Sequence, residues 1–267
     1  MIYLVCLLVC CLLLYVYMIF PRFSKKKAFE KFERVHYAHR GLHDIYPENS
    51  LPAFEKAKNS GYGVELDVQL TKDEIVIVSH DFHLKRSCGI EKEIDNCLYE
   101  ELRSLHIFNS EYTFCTLQEV LNIIDGKIPL IIEIKQKGIN CSTCEKVAKI
   151  LDTYSGAYVV ESFNPIAMNW FLKHRNAVIR GQLSSDFSKD EKMHPVLKFA
   201  LKHLLGNFLS RPDFIAYDIQ HRKEFSFQLL KHFTKTVGWT CKSKKIEEDI
   251  QKDYSCIIFE DYLPNGK

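Results

Sequence analysis

Four short clusters along this chain combine residue types suited to acid–base and metal chemistry: His39-Arg40, Glu65-Leu66-Asp67, His80-Asp81 and Glu133-Ile134-Lys135. A carboxylate buried without a partner is very costly. Three that converge on one mouth call for a hard cation with oxygen ligands, Mg²⁺ or Ca²⁺. An imidazole exchanges protons near neutrality. Taken singly, each cluster has an ordinary reading. Glu133 and Lys135 can be an ion pair, Glu65 and Asp67 can face solvent on an edge strand, and a strand-end histidine can be a hydrogen-bonded structural residue. The elements that carry them decide whether they meet.

Short β-rich runs alternate with helical ones. "VHYAH" (35–39), "GVELDVQL" (63–70), "PLIIEIK" (129–135), "AYVVESF" (157–163), "AVIRGQL" (177–183), "DFIAYDI" (213–219), "TVGWT" (236–240) and "CIIFED" (256–261) read as strands. "LPAFEKAKNS", closed by Gly61, reads as a helix, as do "CLYEELRSL", "TLQEVLNII", about Cys144 to Thr153, a run through Trp170 and His174, and a long stretch from Lys189 to Leu209. This alternation predicts a parallel sheet built from βα units. One further run, "EIVIVSH" (74–80), follows 63–70 after "TKDE". That loop is too short for a parallel crossover, so the pair should form an antiparallel hairpin. With Thr71–Glu74 as the loop, His80 would lie opposite Glu65 and Val78 opposite Asp67. Eight parallel strands remain, the number that closes a (β/α)8 TIM barrel. The expected fold class is therefore α/β, a TIM barrel with an antiparallel hairpin extension. Active sites of such barrels lie at the C-terminal ends of the strands. His39, Arg40, Glu65, Asp67, His80, Glu133 and Lys135 all sit there, which the ordinary readings do not explain jointly.

The string "HRG…PENS…ELDVQLTKDE…VSHD…LKR", continued in order by "CTLQEVL", "IIEIK", "ESF" and "GWT", resembles the glycerophosphodiester phosphodiesterase family over roughly Val35 to Asp261. An HRG alone says little; the combination at these intervals is specific. The resemblance implies metal ligands at Glu65, Asp67 and Glu133, and catalytic histidines at His39 and His80. It implies phosphate-holding groups at Arg40 and Lys135, a supporting residue at Glu48 and a pocket-lining aromatic at Trp239. The implied reaction is metal-assisted phosphodiester cleavage to glycerol 3-phosphate and an alcohol, with the glycerol 2-hydroxyl attacking first through a cyclic phosphate. One divalent cation is the implied cofactor. Arg40 suits phosphate oxygens through its fork of donors, and Gly41 lets the backbone turn tightly beside the substrate. Glu74 replaces the family's usual turn glycine, Ser87-Cys88 replaces a common Thr-Thr, and "FEDYLP" departs from the usual closing motif, which leaves Asp261 without an assigned role.

The first twenty residues, "MIYLVCLLVCCLLLYVYMIF", contain no charged side chain, and Arg22, Lys25, Lys26 and Lys27 follow. As a helix they would span ~30 Å, about one hydrocarbon core. They lack a basic leading segment and a small-residue cleavage site. The expectation is one transmembrane anchor (1–20), a basic linker (21–34) and a catalytic domain (35–267) on the cytoplasmic side. A formal net charge of +2 over 267 residues gives no argument for nucleic acid as a partner. Ten cysteines without regular spacing make a weak disulfide framework. Cys141-Ser-Thr-Cys144 reads as two thiols near a helix start, with a redox pair as the other reading. An anchored barrel also fits a membrane-associated lysophospholipase D, or a phospholipase of the phosphatidylinositol type. "HPVLKFALKHLLGNFLSRP" (194–212) is amphipathic, an ordinary barrel helix or a segment lying on a bilayer. A non-catalytic binding barrel is the remaining reading, disfavoured because every matched position is intact.

Overall fold

The structure is a computed structural model that describes residues 1–22, 26–191 and 193–264. Its strands are β1 (His36–His39), β2 (Gly63–Leu70), β3 (Val76–Val78), β4 (Leu130–Ile134), β5 (Tyr158–Ser162), β6 (Arg180–Ser184), β7 (Phe214–Asp218), β8 (Lys235–Cys241) and β9 (Cys256–Phe259). All but β3 form one parallel ring, in the order β1-β9-β8-β7-β6-β5-β4-β2, closed by β1 against β2. A ring of eight strands encloses a space that side chains fill, so it is a packed core and no pore.

Alternation along the strands builds two layers. Val64, Leu66 and Val68 of β2, with Leu130, Ile132 and Ile134 of β4, join the apolar cluster under the surrounding helices. Glu65, Asp67, Ile131 and Glu133 alternate with them and take the opposite, inner face. The helix Leu117–Ile124 shows how the outer layer is fastened. Thr116 and Glu119 make a reciprocal capping box, and Leu117, Val120, Leu121 and Ile124 form the buried stripe. Full burial of such side chains contributes about 1.5–3 kcal/mol each, an upper estimate.

The N-terminal ends of the strands are plugged by apolar rings. Phe29 and Phe32 are fully buried in the cluster that holds Tyr37, Val159, Phe214 and Ile258, and Tyr37 donates to the Phe32 carbonyl. They come from the helix Lys26–Phe29 and the 3-10 turn Glu30–Phe32. The stretch expected as a linker thus carries part of the barrel floor. The apolar helix before it, Ile2–Ile19, is long enough to cross a membrane and is almost wholly exposed.

Two expectations need correction. The β2–β3 hairpin is antiparallel, but its register is one residue off: Val68 faces Val78 and Leu70 faces Val76. His80 is therefore not opposite Glu65, and the strand ends at Val78. The reason lies in the turn. Glu74 donates from its backbone to the Thr71 carbonyl, Thr71 pairs with Ile75, and Glu74 sits at φ +62°. This is a type I turn followed by one left-handed residue, which adds a residue to the loop. Glutamate thus occupies the backbone conformation that favours glycine. The long helix expected from Lys189 to Leu209 is instead two short ones, Pro195–Lys202 and Asn207–Ser210, and no residue of the first is buried. The ten cysteines are all free, and Cys141 stands at the residue before the helix Ser142–Leu151 without a capping hydrogen bond.

Candidate active site

In-register pairing of β2 with β4 puts Asp67 beside Glu133, with Glu65 two residues earlier on the same face. The three carboxylates are buried, and one oxygen from each lies within 4.8 Å of the others. Lys135 Nζ is 2.9 Å from Glu133 and 3.6 Å from Asp67. The Arg40 backbone donates to Glu65 at 3.1 Å, and its Nε is 3.4 Å from Asp67. Asn49 donates its amide to Asp67 at 2.9 Å.

These neighbours split the acids. Burial opposes ionisation of Asp67, but Lys135, His80, Arg40 and Asn49 outweigh it and hold its pKa low. Burial, then Asp67 and Glu133, push Glu65 well above the usual carboxylate range. Burial, with Asp67 adding to it against Lys135, lifts Glu133 to about 7. A fourth acid, Glu161 of β5, stands next to Glu133 in register and is buried. Burial and the repulsion of Glu133 and Asp67 push it well above normal. Four carboxylates face two cationic side chains, and Asp67 Oδ1 accepts no hydrogen bond. An oxygen-rich site with surplus negative charge fits a hard divalent cation on Glu65, Asp67 and Glu133.

Each histidine has its own acid. His39 ends β1, and its Nδ1 lies 3.4 Å from Glu260 while Nε2 is 4.0 Å from Glu65. Pairing of Ala38 with Phe259 brings Glu260 there. His80 Nδ1 lies 2.7 Å from Asp81. Burial lowers both imidazole pKa values; Glu260 partly offsets this for His39, and Asp67 for His80. His39 and His43 in turn hold Glu260 far below its ordinary value.

Glu48 ties the two sides together. It accepts from Arg40 at 2.8 Å and from Arg86 at 2.6 Å, and Arg86 also bonds Asp81. His80, Asp81, Arg86, Glu48, Arg40 and Asp67 thus form one polar chain. The Arg40–Gly41 step turns it into place: both residues have positive φ, and a Cβ on Gly41 would lie 2.8 Å from the Ala53 carbonyl carbon. Trp239 packs edge-on against Phe163 at 5.5 Å and, two residues after Val237 on β8, joins the inner apolar cluster. The other eight residues singled out in the sequence meet in this network. Sequence reasoning missed Asn49, Arg86, Glu161 and Glu260. The inward parity of Glu161 on β5 and the Arg of "LKR" were available signals; Glu260 carried none.

A sequence model of the glycerophosphoryl diester phosphodiesterase family matches residues 39–247. A glycerophosphodiester phosphodiesterase of Bacillus altitudinis is 41% identical over 108 residues, 38% of this chain and 44% of that one. The chain thus spans less than half of that curated relative. Among solved structures, a glycerophosphodiester phosphodiesterase of Thermotoga maritima superposes with a TM-score of 0.68 at 26% identity, covering 85% of this chain and 94% of that one. A phosphodiesterase of Oleispira antarctica, in complex with its product sn-glycerol-3-phosphate, gives 0.71 at 21% identity over 86% and 94%. The closed barrel is theirs, the matched segment holds every rim residue from His39 to Trp239, and the chain belongs to the glycerophosphoryl diester phosphodiesterase family.

Proposed function

We propose that this chain hydrolyses glycerophosphodiesters to glycerol 3-phosphate and an alcohol. The observation that carries the proposal is the cluster of Glu65, Asp67 and Glu133, flanked by Arg40 and Lys135 and bordered by two carboxylate-paired histidines. Glu65, Asp67 and Glu133 would hold one Mg²⁺ or Ca²⁺, which when bound polarises a phosphoryl oxygen and offsets developing charge. Arg40 and Lys135 orient the phosphate by charge-assisted hydrogen bonds. One of His39 and His80 takes the proton of the attacking hydroxyl, and the other returns a proton to the leaving alcohol oxygen. Asp81 accepts from His80 Nδ1, and Glu260 lies 3.4 Å from His39 Nδ1, so each carboxylate holds that nitrogen and leaves Nε2 to face the reaction. Glu48 fixes Arg40. The product held by the Oleispira phosphodiesterase supports the glycerol side of this reading.

We infer further that Ile2–Ile19 is a single span and that the barrel lies on the side of the basic cluster, in the cytoplasm. Protease added to intact cells should then leave the barrel uncut. The test of function is release of glycerol 3-phosphate from glycerophosphocholine, abolished by EDTA and restored by Mg²⁺ or Ca²⁺. Turnover that EDTA does not touch would refute the metal assignment.

A further inference from the structure

The two ring nitrogens of His39 face different acids. Nε2 is 4.0 Å from Glu65 of the rim cluster, and Nδ1 is 3.4 Å from Glu260. A second imidazole joins on the Glu260 side. Arg40 and Gly41, at φ +55° and +84°, fold the chain back after β1, and His43 Nε2 comes to 3.5 Å from the other oxygen of the same carboxylate. One ligand atom from each of His39, His43 and Glu260 lies within 4.8 Å of the others.

Three observations set this cluster apart from a histidine pair that merely steadies an acid. His39 Nδ1 is buried and makes no hydrogen bond. Bonds of ~2.0–2.1 Å to a tetrahedral Zn²⁺ place its ligand atoms about 3.4 Å apart, the separation found here on both sides of Glu260. A cavity of about 400 Å³ opens beside His43 and Glu260, lined also by Gly41, Asp44, Asp261 and Tyr262. It gives an ion a path in and a water room to complete the shell. Two imidazoles and one carboxylate make a donor set that zinc sites use with the fourth position open. The rim acids offer oxygen alone, which suits Mg²⁺ or Ca²⁺ instead. Lys242 Nζ neutralises Glu260 at 2.9 Å, but it is half exposed and equally close to Asp261, at 3.0 Å, so it can yield the carboxylate to a cation.

We propose that His39, His43 and Glu260 form a second metal site, for Zn²⁺, and that its occupation switches the rim off. The ring chemistry gives the reason. Zinc takes the Nδ1 lone pair of His39, and the proton of that nitrogen passes to water. The neutral ring then carries its remaining proton on Nε2. It has no lone pair with which to act as base, and its N–H is a weaker acid than that of an imidazolium. His39 is therefore disabled in either of its two roles. The site itself stands on geometry; only the loss of turnover rests on the phosphodiesterase reading.

The test uses the full chain in detergent, freed of metal and then given excess Mg²⁺. Micromolar Zn²⁺ should stop release of glycerol 3-phosphate from glycerophosphocholine, and more Mg²⁺ should not restore it. His43→Gln removes an imidazole but keeps a side-chain N–H for Glu260, so turnover without zinc should persist. The zinc needed for half inhibition should rise at least about tenfold. Binding is read separately with Co²⁺ as the probe. A tetrahedral nitrogen-ligated ion absorbs visible light far more strongly than an octahedral one on the rim oxygens, and this band should appear in the unaltered protein and vanish in His43→Gln. Circular dichroism reports whether the variant folds. Inhibition that extra Mg²⁺ reverses, or that His43→Gln leaves unchanged, means that zinc displaces the rim cation and overturns the switch. A Co²⁺ band that is absent, or that survives in the variant, overturns the site. A His43-dependent band in a protein that cleaves no glycerophosphodiester keeps the site and removes the phosphodiesterase reading.

Discussion

Two buried charge clusters sit at opposite ends of one barrel. At the C-terminal rim, Glu65, Asp67, Glu133 and Glu161 face Arg40 and Lys135. At the floor, one carboxylate, Asp213, faces two guanidinium groups. It accepts from Arg22 Nε at 2.9 Å and from the Arg180 backbone at 3.1 Å, and lies 3.5 Å from the Arg180 side chain. Arg180 is fully buried and spends its other donors on the carbonyls of Ser210 and Arg211. The floor cluster sets one carboxylate against two guanidinium groups, with Arg180 Nη1 held only by charge 3.5 Å from Asp213, and it fastens the foot of the first helix. The rim cluster is in surplus and keeps carboxylate oxygens without a hydrogen bond. Buried charge alone therefore does not mark a site; like-charged carboxylates crowded together in excess of their cations do.

The largest effect should come from cutting the surplus. Glu133→Gln should lower turnover by at least ~10³-fold, the scale of a lost Lewis acid. The metal-free protein should not melt lower, because one of several repelling acids has gone. Calorimetry after chelation checks this; a drop of many degrees would make the rim a structural cluster like the floor. Replacing either histidine by Ala should cost ~10²–10⁴-fold. A nitrophenyl leaving group, which needs little protonation, should rescue the variant that lacks the acid and not the one that lacks the base. Burial lowers both imidazoles. The base must be neutral to act, so the low-pH limb should lie below ~6.5, and the acid must carry its proton, so activity should fall again as pH rises. An acid limb well above that value would contradict the pairing.

Asp213→Asn should have the opposite signature. It leaves Arg180 buried without its carboxylate and should cost ~3–5 kcal/mol in urea unfolding, with kcat per folded molecule unchanged. The two ends should also separate in their response to pH. The Glu133 carboxyl is raised from 4.5 to about 7, so between those values the native state binds more protons than the unfolded chain. Stability of the metal-free protein should then fall as pH rises through that window. Saturating Mg²⁺ or Ca²⁺, which binds the ionised carboxylates, should reverse the slope. Melting curves at pH 5 and pH 7.5, with and without metal, decide it. The smallest effect belongs to the hairpin beside the rim. Glu74 is held at φ +62°, and its pair with Lys146 is exposed. Glu74→Gly should relieve ~1 kcal/mol, a rise of about 2–4 °C in Tm. A lower Tm would show that the exposed pair outweighs the strain.

Much of this molecule is legible in one dimension, because alternation is a local property. The period-2 pattern of "GVELDVQL" and "PLIIEIK" places Glu65, Asp67 and Glu133 on one face before any partner strand is known. A four-residue gap excludes a parallel crossover, so the hairpin and the count of eight follow from length alone. The register of that hairpin was not legible. It turned on whether Glu74 accepts a left-handed backbone, a choice worth about 1 kcal/mol that chain packing settles. Glu260 was invisible for a different reason. Its meaning comes from ring closure, which sets β9 against β1 and so brings residue 260 to residue 39 across 221 positions of sequence. The surplus of negative charge is likewise a sum over β1, β2, β4 and β5, and no single strand contains it. The sequence by itself determined which side chains face inward and at which end of each strand. Only the closed barrel decided their distances, and with them which acids ionise, because Coulomb energy and desolvation depend on separation and burial in space rather than on spacing along the chain.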